Sequence, residues 1–157
     1  MQSEPTVTTQ PAINAVGIEV RTNNTFELDP SKARIPSLWG RFFQEGTIEK
    51  IPSKKPHGVP LGIYTDYESD HQGPYSLIAG VETTDLKSIP NGMRGLTVPG
   101  GKYLVFTASG QMPKALIETW MCIWNYFSKN STHKRTYTTD FERYESSEKV
   151  EIYIAIE

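Results

Sequence analysis

The sequence predicts an α+β fold in which two pseudo-symmetric β-α-β-β halves form one antiparallel sheet with two helices on one face. Three observations carry this. Two apolar stripes at helical spacing are each followed by two strand-like runs. The last run alternates cleanly, with Val150, Ile152, Ile154 and Ile156 on one side and Glu151, Tyr153 and Ala155 on the other. Short motifs also recur in the same order in both halves. Trp39-x-x-Phe42 lies over Trp124-x-x-Phe127, with Leu38 over Ile123. Tyr67-Glu68-Ser69 lies over Tyr144-Glu145-Ser146, and Ile78 to Glu82 over Tyr153 to Glu157. The offset drifts from 85 to 77 to 75, as loops of unequal length would make it.

Residues 1–10, rich in Ser, Thr, Gln and Pro, read as a flexible tail. Residues 11–157 read as one domain with halves at about 11–85 and 92–157. Ile13 to Leu28 holds strand-like sequence, closed by an Asn23-Asn24 turn signal. Ile35, Leu38, Trp39, Phe42 and Phe43 make a one-face helix stripe, with Pro36 in the first turn where its missing N–H is harmless. Residues 46–60 read as an exposed connection. Leu61 to Tyr67 and Tyr75 to Val81 read as strands, and Leu86 to Asn91 as a linker. The second half repeats the plan: strand-like Met93 to Val98 and Lys102 to Thr107 are broken by Pro99-Gly100-Gly101. A helix with Pro113 in its first turn carries Met112, Leu116, Thr119, Trp120, Ile123, Trp124 and Phe127. Thr136 to Tyr144 and Lys149 to Ile156 close the chain as strands. Both helix stripes are expected to be core, and the groove where the halves meet is the natural ligand site.

Composition excludes several function classes. Sixteen basic and eighteen acidic residues give a net charge of −2 in 157 residues, against the concentrated positive field that a nucleic-acid binder needs. The one local basic cluster is His133-Lys134-Arg135. Cys122 is the only cysteine, which rules out a disulfide within the chain and fits a cytoplasmic location; it reads as a core or near-core hydrophobe. No apolar run approaches the roughly 18 residues of a membrane span. His57, His71 and His133 lack metal-ligand spacing, the Pro99-Gly100-Gly101-Lys102 glycines lead into a strand as a turn does, and no nucleophile elbow is present. No cofactor, metal or catalysis is expected.

What remains is carboxylates on aromatic strands. Asp140-Phe141-Glu142-Arg143-Tyr144 sets an acid between two aromatics, and Glu151-Ile152-Tyr153 puts an acid and a tyrosine on one strand face. A carboxylate in a partly apolar groove is costly unpaired. A flat organic cation would relieve that cost, and aromatic walls add about 0.5 to 2 kcal/mol each. From local sequence the alternative stays open that Glu142 pairs with Arg143 or Arg135 at the surface and that Tyr153 merely packs.

The segment Gly92 to Phe106, containing Pro99-Gly100-Gly101-Lys102-Tyr103, resembles the gyrase-inhibitor-like effector-binding domain family. So do the helix Ile117 to Trp124, the ending Asp140-Phe141-Glu142-Arg143-Tyr144 with Glu151 to Ile156, and Gly62-Ile63-Tyr64 with Ala79 to Glu82. The likeness spans residues 11–157 and is greatest to the cationic drug-binding proteins carried on bacterial integron cassettes. It departs at Ala155, where the family tends to have Pro, with only a small local effect expected. The resemblance implies a multidrug-type binding module for lipophilic aromatic cations, with Glu142 as the buried acid and Glu151 and Tyr153 as the last-strand wall. Trp39, Tyr103 and Trp120 would be stacking surfaces. It also keeps two alternatives: a protein-interaction inhibitor of the gyrase-inhibitor type, and a small-molecule hydrolase on the same scaffold. Residues 1–10 cannot hold a helix-turn-helix, so a transcriptional role would need a separate DNA-binding regulator. A homodimer could form through an exposed edge strand.

Overall fold

A computed structural model describes residues 4–56, 58–70, 72–129 and 132–157. Eight strands form one antiparallel sheet: β1 (Thr6–Gln10), β2 (Ile13–Thr22), β3 (Pro60–Thr65), β4 (Tyr75–Thr83), β5 (Arg94–Val98), β6 (Gly101–Ser109), β7 (Thr139–Ser146) and β8 (Lys149–Ala155). Among the described residues three α-helices accompany them: α1 (Asn24–Glu27), α2 (Ile35–Gln44) and α3 (Lys114–Lys129). The strand order is β1-β6-β8-β7-β3-β4-β2-β5. The halves are therefore β2-α2-β3-β4 and β6-α3-β7-β8, joined where β3 pairs with β7. The predicted fold class is borne out.

This order dictates a curled sheet. β1 and β2 lie toward opposite ends of the order, yet only Pro11 and Ala12 join them. β5 and β6 are likewise far apart in the order and joined by Pro99 and Gly100 alone. Links so short cannot span the width of a flat sheet, where each strand adds about 4.8 Å, so the ends must meet. The two links pack against each other: a Cβ on Gly100 would lie 2.8 Å from the Ala12 nitrogen, which is why this position needs glycine. The inner face closes on itself as a core of Ala15, Leu61, Ile63, Ile78, Val98, Tyr103, Phe141 and Tyr153, reaching across the sheet with no helix residue in it.

Both longer helices cover the other face. α2 buries Leu38 and Phe42 against Val16, Leu77 and Val81. α3 buries Ile123 against Leu104, Phe106, Ile152 and Ile154. The start of α2 has no side-chain cap of its own; instead Glu27 on α1 accepts from the Arg34 and Ile35 N–H groups at 2.9 and 3.2 Å, satisfying two of the orphan donors of a helix start.

Several expectations need correction. Residues 6–10 are not a tail, because they pair with Gly101–Val105 on the outer edge of β6, where free backbone groups would otherwise face solvent. Residues 46–60 are not wholly exposed: Ile51 is a fully buried member of the α2 core. Strand β2 ends at Thr22, and α1 follows. α3 begins after Pro113, not around it. Cys122 is exposed, since it sits a quarter-turn away from buried Ile123 on the outer side of α3. The match of Tyr67–Ser69 to Tyr144–Ser146 is one residue out of step. Ile63 pairs with Ile78 as Phe141 pairs with Tyr153, so an offset of 75 in the fourth strand requires 78 in the third.

Candidate functional site

On β7, Asp140 and Glu142 both face the helices, and both are buried, at 0% and 1% exposure. Their surroundings differ in kind. Asp140 accepts from Arg135 Nη2 at 2.7 Å, Tyr67 OH at 2.5 Å and the Ala155 backbone N–H at 2.8 Å, and so is charge-neutralised. That third donor is an N–H that proline lacks, so Ala155 supplies a hydrogen bond that a proline at this position could not. Glu142 takes part in none of the ion pairs among the described residues. Its donors are neutral: Trp120 Nε1 at 2.7 Å, Tyr64 OH at 2.9 Å and Tyr144 OH at 2.6 Å.

Register explains how a carboxylate fits at the seam of two helices. Gly62 on β3 is the direct partner of Glu142. A Cβ there would lie 2.8 Å from Glu142 Oε1 and 3.2 Å from the Trp39 ring, so the missing side chain is the space that the acid occupies. Trp39 from α2 and Trp120 from α3 close over it. Trp39 meets Tyr144 at 5.0 Å between centroids, Trp120 meets Tyr64 at 5.2 Å, and Trp124 continues the aromatic shell at 6.1 Å from Trp120. Burial pushes the Glu142 carboxyl above the usual carboxylate range, against the opposing pull of its Tyr144, Trp120 and Tyr64 hydrogen bonds. Burial, and then the neighbouring carboxylate, hold the Tyr64 and Tyr144 hydroxyls well above their ordinary value, so both remain protonated donors.

A model of the Cass2 family, the integron-associated effector binding proteins, matches residues 6–156. The chain belongs to this family. An integron cassette protein of Vibrio cholerae, VCH_CASS2, is 35% identical, with 99% of this chain and 97% of that one covered and a TM-score of 0.86. The SAV2435 structure, bound to tetraphenylphosphonium, shares the fold at 22% identity, with 99% and 94% covered and a TM-score of 0.79. A putative transcriptional regulator of Bacillus subtilis, YobU, is 28% identical over 89% of each chain. The resemblance drawn from the motifs is thus borne out.

Of the residues singled out in this effector-binding chain, Glu142, Trp39 and Trp120 come together. Tyr103, Glu151 and Tyr153 do not join them, because they alternate to the inner face of the curl. There Tyr153 stacks on Phe141 at 4.5 Å, Tyr103 donates to the Pro99 carbonyl at 2.5 Å, and Glu151 sits opposite Arg143. Neither surface pairing of Glu142 forms; Arg135 belongs to Asp140. Besides Tyr144, which neighbours Glu142 on the same strand, a residue donating to Glu142 that was not singled out as a site residue is Tyr64. Its signal was present, since Gly62 and Tyr64 share a strand face by simple alternation, but which face met Glu142 depended on the β3–β7 register. Among the described residues no cluster suits a metal, and no helix is long and apolar enough to cross a membrane. His57 and His71 lie outside the described residues.

Proposed function

We propose that this domain binds lipophilic aromatic cations, pairing their positive charge with Glu142 inside the Trp39, Trp120, Tyr64 and Tyr144 shell. The observation that carries the reading is a carboxylate 1% exposed whose three donors are all neutral. Three hydrogen bonds partly replace water, but no charge balances the anion, and burying an unpaired charge is costly. The neighbouring Asp140, two residues away, shows what this chain does with a structural acid: it supplies an arginine. A cation arriving as the tryptophan and tyrosine rings part would supply the missing charge, and the rings would face it with their π-clouds. The capture of tetraphenylphosphonium by SAV2435, a protein of the same fold, supports this choice of ligand class. The function proposed is binding, without catalysis.

All three tryptophans of the chain, Trp39, Trp120 and Trp124, flank the site, so their fluorescence reports on it directly. Titrating tetraphenylphosphonium and a neutral tetraphenyl analogue should quench with the cation preferred. Glu142→Gln keeps the shape and one acceptor oxygen, its NH2 able to donate to a tyrosine hydroxyl turned acceptor, while removing the charge. A charge-assisted contact is worth about 1.5 to 3 kcal/mol, so the cation should lose about 10- to 100-fold in affinity and the neutral analogue little. A cation affinity within about twofold of the natural protein's would remove Glu142 from the mechanism.

A further inference from the structure

Beyond the Glu142 site, a cavity of about 370 Å³ opens past the C-terminal end of α3, lined by Phe127, Lys129, His133, Lys134, Arg135 and Tyr137. We propose that this cavity is a second binding site, for a flat aromatic ring bearing an oxyanion, either phosphate or carboxylate. Its volume falls within the range of small-molecule sites. Its chemistry is the inverse of the first site: among the described residues basic groups line it, and no carboxylate does. Asp140 lies behind Arg135 at 0% exposure, with its acceptors taken by three donors, so it neutralises one charge and leaves Lys129 and Lys134 unbalanced. Neither lysine takes part in an ion pair among the described residues. Lys129, in the last turn of α3, also offsets the partial negative charge of the helix end, which would otherwise repel an anion.

Arg135 is the fixed point of the cavity. Its side chain is only 4% exposed, its backbone bridges to Ile156, and its Nη2 is held by Asp140. Its Nε is nevertheless buried without a hydrogen-bond partner. An orphaned buried donor is rare and unfavourable, and an oxyanion that displaced the side chains covering it from the cavity side would supply the missing acceptor. The ring specificity comes from Phe127 and Tyr137. Tyr137 is held at φ 55°, an uncommon conformation for a bulky residue, and there its ring stacks 4.4 Å from the Arg135 guanidinium. A ligand ring would extend that stack while its anionic group met Arg135 and the two lysines.

The test uses the full chain and calorimetric titration with phenyl phosphate, benzoate, inorganic phosphate and phenyltrimethylammonium. Saturable sub-millimolar binding of phenyl phosphate or benzoate is expected, with inorganic phosphate weaker by about fivefold or more. The tighter of the two aromatic anions identifies the group the site was built for. Lys129 and Lys134 are both exposed, so Lys129→Gln/Lys134→Gln should fold with an unchanged melting temperature. That variant should lose about fivefold or more in affinity for the aromatic anion. Glu142→Gln should leave anion binding unchanged, which separates a failure here from a failure of the cation site. The proposal is overturned if neither aromatic anion saturates, if the double variant binds as tightly as the natural protein, if inorganic phosphate binds equally well, or if phenyltrimethylammonium binds Glu142→Gln, which lacks the charge of the first site, as tightly as the aromatic anion does.

Discussion

At the scale of single residues, the informative contrast is between two acids on one strand. Asp140 is a charge with a counter-charge, and Glu142 is a charge with neutral donors only. Burial raises the carboxyl of Glu142 above its ordinary range, so the folded chain holds this proton more tightly than the unfolded chain. Stability from this group is therefore present below the ordinary carboxylate pKa and is lost as pH rises through the raised folded value. Urea midpoints measured across that window should fall more for the natural protein than for Glu142→Gln, which cannot titrate; parallel curves would contradict the assignment. Cation affinity should move the opposite way, weakening as acid protonates the site. Gly62 offers a steric test. Gly62→Ala places a methyl against Glu142 Oε1 and the Trp39 ring, both side-chain atoms able to shift, so the chain should still fold. Its affinity for tetraphenylphosphonium should drop severalfold, and an unaltered titration would mean that the ligand does not use this space.

At the scale of elements, the helices are less uniform than their stripes suggest. On α2, Leu38 and Phe42 are buried, whereas Phe43 is 65% exposed and stacks on Trp39. On α3, the wholly buried positions are the smaller Ala115, Thr119 and Ile123, while Trp120, Trp124 and Phe127 are only partly covered. Trp120 and Trp124, which a plain core would bury, are held at the seam beside Glu142, and Phe127 lies past it toward the end of α3. The expectation that both stripes are plain core therefore holds for one row of each helix only. Phe42→Ala should cost about 3 to 5 kcal/mol, because its ring is fully buried and leaves a cavity. Phe127→Ala should cost clearly less. Denaturant unfolding of the two variants ranks them, and the reverse order would mean that α3, not α2, carries the deeper packing.

At the scale of the whole molecule, closure of the sheet depends on strands exchanged between the halves. β1 precedes the first half but completes the edge of the second, and β5 precedes the second half but completes the edge of the first. Each exchange is tied by a two-residue link, and the links cross at Gly100. Deleting residues 1–10 would bare the β6 edge, a row of free N–H and C=O groups competent to pair with another chain. The shortened protein should melt at lower temperature and self-associate in light scattering; a monomer of unchanged stability would show that β1 is dispensable.

The sequence by itself determined the period of each element, the duplicated plan and the pairing of acids with aromatics. These are local properties: apolar spacing in the two helices, alternation in β8, and motif order within the halves. It could mark Glu142, because residue type and near neighbours are written along one strand. It could not choose between Glu142 and Glu151, since both alternate with aromatics and only the β7–β8 register sends them to opposite faces. Nor could it free residues 6–10 from the look of a tail. A polar edge strand earns its place through backbone hydrogen bonds to β6, which leave no mark on side-chain pattern. The gap at Gly62, the arginine given to Asp140 and withheld from Glu142, and the meeting of Trp39 with Trp120 all arise between segments far apart in the chain. Those contacts exist only once the sheet has curled, and for that reason the tertiary structure alone decided which carboxylate was buried without a counter-charge.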